Sequence, residues 1–304
     1  MRILVLRALG LGDLLTAVPA LRGLRAAFPQ AEITLAAPEW LADAVARIEA
    51  VDRLLPTEAL APIGFEKPDL AVNLHGQGPQ SVERLLETRP RALITYGGPE
   101  QAPEVRLLAV EWPEDRHEIL RWCDLLQRTG IRCDPDDFRL RPVGDRTGRI
   151  VIHPGASTGA RRWPTGRYAA VARALGDDVV VTAGPGEHDL ARQITPNPFT
   201  GTLAELMDLV ATARLVICGD TGVAHVATAY RTPSVLLFGP VSPHLWGPRH
   251  GPHQVLWHGG TGDTFADEPD PGLLKITTEE VLDAAGGVLC GPGESESSAR
   301  VTSV

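Results

Sequence analysis

Residues 2–28 read RILVLRALGLGDLLTAVPALRGLRAAF. The run 2–7 is short and apolar with a β-branched centre, the pattern of a strand buried on both faces of a parallel sheet. A glycine loop covers 8–12. From Asp13 the apolar residues Leu14, Val18, Leu21 and Leu24 recur at helical spacing, which predicts a helix over 13–28. Strand, glycine loop and helix together open a βαβ unit. Outward from there, the pattern predicts a strand at 33–36, a helix at 40–48 and a strand at 70–74 running into His75-Gly76-Gln77-Gly78-Pro79. A further strand is expected at 92–95. An amphipathic helix over 117–128 stops before Gly130, a suitable C-cap.

The stretch 134–148, DPDDFRLRPVGDRTG, is polar and carries two prolines and two glycines, as a linker would. The alternation then restarts. Strands are expected at 149–153, 179–183, 215–218 and 234–238, with helices at 164–175, 187–194, 203–213 and 223–230. Alternating strands and helices in both halves imply two parallel sheets with right-handed crossovers. The expected fold class is α/β, with two Rossmann-like domains facing across a cleft. An N-terminal domain would span 1–143 and a C-terminal domain 148–290. The Ser-, Glu- and Gly-rich segment 291–304 is expected to be a disordered tail.

Composition narrows the function classes. The chain has 304 residues, 43% of them hydrophobic, enough for ordinary cores. Its 29 basic and 38 acidic residues give a net charge of −9. Nucleic-acid binding through a basic surface is therefore not expected. The four cysteines show no CxxC spacing, which suits reduced thiols in a reducing compartment. No run reaches the ~18 apolar residues of a membrane helix, and Arg7 breaks up the N-terminal run. A cytoplasmic protein without an integral membrane segment is the expectation.

Four segments can carry chemistry. In Gly10-Leu11-Gly12-Asp13, glycines let backbone approach a ligand at the top of the first strand, and Asp13 stands at or beside a helix N-terminus. Asp13 there is either a helix N-cap or a functional carboxylate. In His153-Pro154-Gly155-Ala156-Ser157, followed by Arg161-Arg162-Trp163-Pro164, the hydroxyls of Ser157 and Thr158 and an arginine fork suit phosphate oxygens. A solvated loop with surface arginines is the alternative.

In Gly219-Asp220-Thr221-Gly222-Val223-Ala224-His225, a buried strand runs into a helix start whose N–H groups form an anion site. Asp220 can cap that helix. His225 falls on the same face as Thr221, as a ligand contact or as a half-buried histidine. The fourth segment, 239–248, is a proline-rich loop with His244, which reads equally as a ligand contact or a surface residue.

The sequence has no GxxxxGK[ST], GxSxG or HExxH motif and no histidine cluster at ligand spacing. The N-terminal loop lacks the full GxGxxG spacing. No bound metal and no cofactor are expected.

The ordered set of GD after the first strand, PGAS followed by a basic residue and WP, then DTGxxH, then FGPxxP resembles the bacterial heptosyltransferases of glycosyltransferase family 9 over about residues 1 to 260. The resemblance implies the GT-B architecture and metal-independent, inverting sugar transfer. The donor would be a nucleotide-diphosphate sugar such as ADP-heptose, held mainly by the second domain. Asp13 would be the catalytic base. Arg161 stands where the family usually has lysine; Asp220, Thr221, Gly222 and His225 match the diphosphate site, with Ser157 and Thr158 nearby and Glu187 approaching the nucleoside. Gly12, His75 and Gln77 are acceptor-side candidates, expected to face the cleft. The acceptor would be a glycan, a glycolipid or a small molecule. Two other readings fit the architecture: a nucleotide-sugar epimerase and a non-catalytic sugar-nucleotide-binding subunit.

Overall fold

The computed structural model describes residues 1–98, 104–290 and 300–302. The chain divides into two compact units, Met1–Leu140 and Arg141–Val304. The division falls inside the polar stretch 134–148.

The first unit holds a six-stranded sheet of β1 (Arg2–Leu6), β2 (Glu32–Ala37), β3 (Arg53–Pro56), β4 (Leu70–Asn73), β5 (Ala92–Tyr96) and β6 (Arg106–Val110). Its order is β3-β2-β1-β4-β5-β6, and every pairing is parallel. That is the doubly wound order of a dinucleotide-type fold, reversing between β1 and β4. The apolar reading of β1 is explained by burial: Ile3, Leu4, Val5 and Leu6 are fully buried. Strands β3 and β6 escaped prediction because both are sheet edges with partly exposed, charge-interrupted sequences, RLLP and RLLAV.

The second unit holds β7 (Ile150–His153), β8 (Val179–Val181), β9 (Leu215–Gly219), β10 (Ser234–Leu237), β11 (His253–Leu256) and β12 (Arg300–Thr302). Their order is β12-β11-β10-β9-β7-β8, again all parallel, and it reverses between β7 and β9. Trp163 and Tyr168 pack edge to face in its core, their rings 4.9 Å apart, and Trp163 Nε1 donates to the Ile276 carbonyl at 3.0 Å.

Three expectations need correction. The helix expected over 13–28 is two helices, Leu11–Thr16 and Val18–Ala27. They break at Ala17 because Pro19 sits in the first turn of the second and brings no N–H to continue the first. The tail expected over 291–304 falls largely outside the described residues, but 300–302 form β12, pairing with the open backbone edge of β11. The cysteines are not all free: Cys123 and Cys133 form a disulfide, with Cα atoms 5.2 Å apart. The chain turns back after the helix Glu118–Arg128 and brings Cys133 beside Cys123, both buried. Cys218 is buried and free, and Cys290 is exposed and free.

Candidate active site

In open α/β sheets, ligands bind outside the carboxyl ends of strands where the order reverses. In the first unit these are the ends of β1 and β4; Asp13 lies in the first turn of the helix that follows β1, and His75 in the loop that leaves β4.

Asp13 is not an N-cap. Gly10 caps the helix Leu11–Thr16, and Asp13 is its third residue, reaching back to accept the Gly10 N–H with Oδ2 at 3.2 Å. Its Oδ1 lies 3.3 Å from Nη2 of Arg7, and 29% of the side chain is exposed. Gly12 lies in the same helical turn, partly exposed. Arg7 is 1% exposed. It donates through Nε to the Asp13 carbonyl at 3.0 Å, through Nη1 to the Leu74 carbonyl, and through Nη2 to Thr16 Oγ1 at 3.2 Å. The same Nη2 donates to Glu118 Oε1 at 3.0 Å, and the guanidinium lies 4.7 Å from the Trp122 ring centre. Buried Glu118 also accepts Trp122 Nε1 at 2.9 Å and pairs with Arg121. Two guanidiniums and two carboxylates thus alternate from Asp13 into the core.

His75 follows β4, its backbone N–H donating to Asn73 Oδ1 at 3.0 Å. Its Nδ1 is buried without a hydrogen-bond partner among the described residues. Burial, reinforced by the charge of Arg7, pushes the ring down to about 4, so it is neutral at pH 7. Gln77 lies farther along the loop, on the wall of a pocket of about 340 Å³ shared with Pro79, Val82 and Leu86.

In the second unit the strands at the reversal are β7 and β9, joined in register from Ile150↔Leu215 to His153↔Cys218. Their loops meet closely. A Cβ at Gly219 would stand 2.9 Å from the Arg161 carbonyl, so only glycine fits without displacement. Arg161 Nη1 lies 3.4 Å from Asp220 Oδ2, and its buried Nε makes no hydrogen bond among the described residues. Arg162 does different work: its Nε and Nη2 donate to the Ala156 carbonyl at 3.0 and 2.8 Å and close the loop on itself. Ser157 is exposed. The Thr158 hydroxyl donates to the Thr264 carbonyl at 2.7 Å, so that proton is already committed within the protein.

Thr221 is the N-cap of the helix Gly222–Ala229 and makes no side-chain cap. The Ala224 N–H donates to the Thr221 carbonyl at 3.0 Å, whereas the N–H groups before it, Gly222 included, have no intrahelical acceptor, as at any helix start. His225 packs edge to face against Trp246, ring centres 6.0 Å apart. His244 is exposed, its backbone N–H donating to Ser242 Oγ at 3.3 Å.

Glu187 belongs to the β7 corner rather than to the β9 loop. Its Oε2 accepts the Gly184 N–H at 2.8 Å and lies 3.7 Å from His153 Nε2. A Cβ at Gly155 would collide with this carboxylate, so the glycine makes its berth. His153 is buried, with Nδ1 2.9 Å from Thr182 Oγ1. Burial holds the His153 ring below the ordinary histidine range, against the opposing pull of Glu187.

Known proteins resemble this chain in sequence and fold. The family described as Glycosyltransferase family 9 (heptosyltransferase) matches residues 110–265, just over half the chain. The chain belongs to glycosyltransferase family 9. It is 25% identical to lipopolysaccharide heptosyltransferase 2 of Escherichia coli K12, over 95% of this chain and 99% of that one. Two solved structures share the fold: a family 9 glycosyl transferase from Veillonella parvula and the E. coli ADP-heptose lps heptosyltransferase II. Each has a TM-score of 0.76 and 21% identity over 95% of this chain; the matches cover 97% and 98% of their own chains respectively. The family 9 chain is a glycosyltransferase of two Rossmann-like units, as its motifs imply. Among the described residues no helix is long and apolar enough to cross a membrane.

Sequence reading singled out Asp13 but missed Arg7, which holds it, and Glu118 and Trp122, which hold Arg7. Arg7 was legible as an arginine closing a fully apolar strand, a place where a charge needs buried partners. Nothing local in 118–122 announces that its carboxylate meets a residue 111 positions earlier.

Proposed function

We propose that this family 9 enzyme moves a heptose from ADP-heptose to a hydroxyl of a glycan, glycolipid or small-molecule acceptor, with inversion and without a metal. The observation that carries this reading is the gathering of the motif residues at the two strand ends where each sheet order reverses. The relatives' names supply the sugar and the nucleotide, and lipopolysaccharide is the first acceptor to try.

Asp13 is the general base. A carboxylate offers about four lone-pair positions; Arg7 and Gly10 use one on each oxygen, and the side chain is partly exposed, so an acceptor hydroxyl has room to donate. The acceptor oxygen attacks the anomeric carbon as its proton passes to Asp13. The bond from that carbon to the diphosphate breaks, and its electron pair leaves with the diphosphate. Charge growing on the leaving group is met by Arg161 and by the N–H groups at Thr221 and Gly222. Those groups take the place a divalent cation would occupy. Glu187, berthed over Gly155, is suited to hydroxyls of the donor's ribose.

The test is ADP release and product mass with ADP-heptose and an acceptor panel that includes lipopolysaccharide cores, each with and without saturating EDTA. Transfer that survives EDTA, with donor alone left intact, is the expected result. Epimerisation of the donor alone, or activity lost to EDTA and restored by Mg²⁺, contradicts the reading.

A further inference from the structure

We propose that Arg7 is a positioning residue for the transfer reaction, aiming the Asp13 carboxylate at the acceptor hydroxyl and held in turn by Glu118. This rests on the reading of Asp13 as the base.

The placement of Arg7 is costly unless it serves something. A buried guanidinium carries a desolvation penalty of several kcal/mol, and an apolar side chain after Ile3-Leu4-Val5-Leu6 would avoid it. The partners of Arg7 are arranged around one exposed group. Its Nε takes the Asp13 backbone carbonyl and its Nη2 takes the Asp13 carboxylate, so main chain and side chain of one residue are fixed by one planar group. The Leu74 carbonyl fixes the other edge of the fork, and Trp122 covers a face. Asp13 is the member of this set that reaches solvent; Arg7, Thr16, Glu118 and Trp122 are buried.

Charge counting gives the second half of the argument. Arg7 and Arg121 contribute two positive charges, and Asp13 and Glu118 two negative ones. Glu118 balances Arg7 from beneath. The guanidinium therefore need not draw Asp13 down into the core to be neutralised, and the carboxylate stays at the surface. A lysine at position 7 keeps the charge but lacks the fork that grips carbonyl and carboxylate together.

Arg7→Met in the full chain should leave donor affinity unchanged, since the donor site belongs to the second unit, and lower kcat by about 10²-fold, the loss associated with misplacing a reacting group by about 1 Å. Arg7→Lys should fall between it and the wild type. The decisive readout is a double-mutant cycle with Asp13→Asn. If Arg7 acts through Asp13, adding Arg7→Met to Asp13→Asn changes residual turnover little. Should the Met variant fail to fold, as judged by circular dichroism and donor binding, Arg7→Lys carries the same cycle. Additive losses, or an Arg7 variant with wild-type kcat beside an inactive Asp13→Asn, overturn the inference and leave the base assignment standing. An active Asp13→Asn removes both.

Discussion

His153 Nε2 lies 3.7 Å from Glu187 Oε2, and that carboxylate fills the space a side chain at position 155 would need. Glycine at 155 is therefore part of how Glu187 is placed. Gly155→Ala should push the flexible carboxylate aside and weaken donor binding by about tenfold, roughly the effect of losing one good hydrogen bond. Thermal stability should change little. Gly159→Ala is the contrast, because its Cβ meets the Asp267 backbone carbonyl, which cannot swing away. That variant should lose about 1–3 kcal/mol of stability. Calorimetric titration and thermal melts of the two variants separate these effects; a Gly155→Ala protein that binds donor normally removes Glu187 from the donor site.

The two neighbouring arginines should behave differently. Arg161→Ala should weaken donor binding by about 1.5–3 kcal/mol, the range for a hydrogen bond to a charged group. Arg162→Ala removes the two hydrogen bonds that close the loop on the Ala156 carbonyl, and should lower stability as well as affinity. Equal donor dissociation constants for Arg161→Ala and wild type would show that the guanidinium serves Asp220 alone.

Stability should fall on mild acidification. Burial, with a contribution from Arg231, pushes His253 down to about 3, whereas an unfolded histidine takes its proton near 6.5. Between those values the unfolded chain binds the extra proton and the folded chain does not. Stability is thus full above about pH 6.5 and is lost as pH falls toward 3, at about 1.4 kcal/mol per pH unit for this one ring. His75 and His153, also shifted downward, add to the slope. Denaturant melts from pH 6.5 to 4.5 should show the decline, and His253→Asn should flatten it by about one histidine's share. An unchanged slope in that variant would mean the buried ring titrates normally.

The Cys123–Cys133 link makes a countable claim. Protein prepared without reductant and denatured should offer two thiols to a thiol reagent, from Cys218 and Cys290. Reductant should raise the number to four. Four thiols before reduction would restore the reading of four reduced cysteines.

Most central strands were legible because burial on both faces leaves an unbroken apolar run, as in Ile3–Leu6 and Leu215–Cys218; His253–Leu256 also lies between two strands but opens on two polar residues and was missed. Edge strands such as Arg53–Pro56 and Arg106–Val110 lack that signal and were visible only in three dimensions. The candidate site divides the same way. Asp13, Arg161, Asp220 and Thr221 stand in local motifs at strand ends, where backbone geometry and chemistry share a few consecutive residues. Glu118 on Arg7, Glu187 over Gly155 and Thr158 on Thr264 join positions distant in sequence or turned by a loop, and no pattern of spacing encodes them.

Asp13→Asn tests the account most directly. Asparagine keeps the size of the side chain, and its amide oxygen can still accept the Gly10 N–H, so helix and fold should survive. What it loses is the capacity to take a proton from the acceptor hydroxyl. Single-turnover transfer from ADP-heptose should fall by at least about 10²-fold, with donor affinity unchanged. A folded Asp13→Asn enzyme that binds donor and transfers the sugar at a rate near wild type would contradict the account.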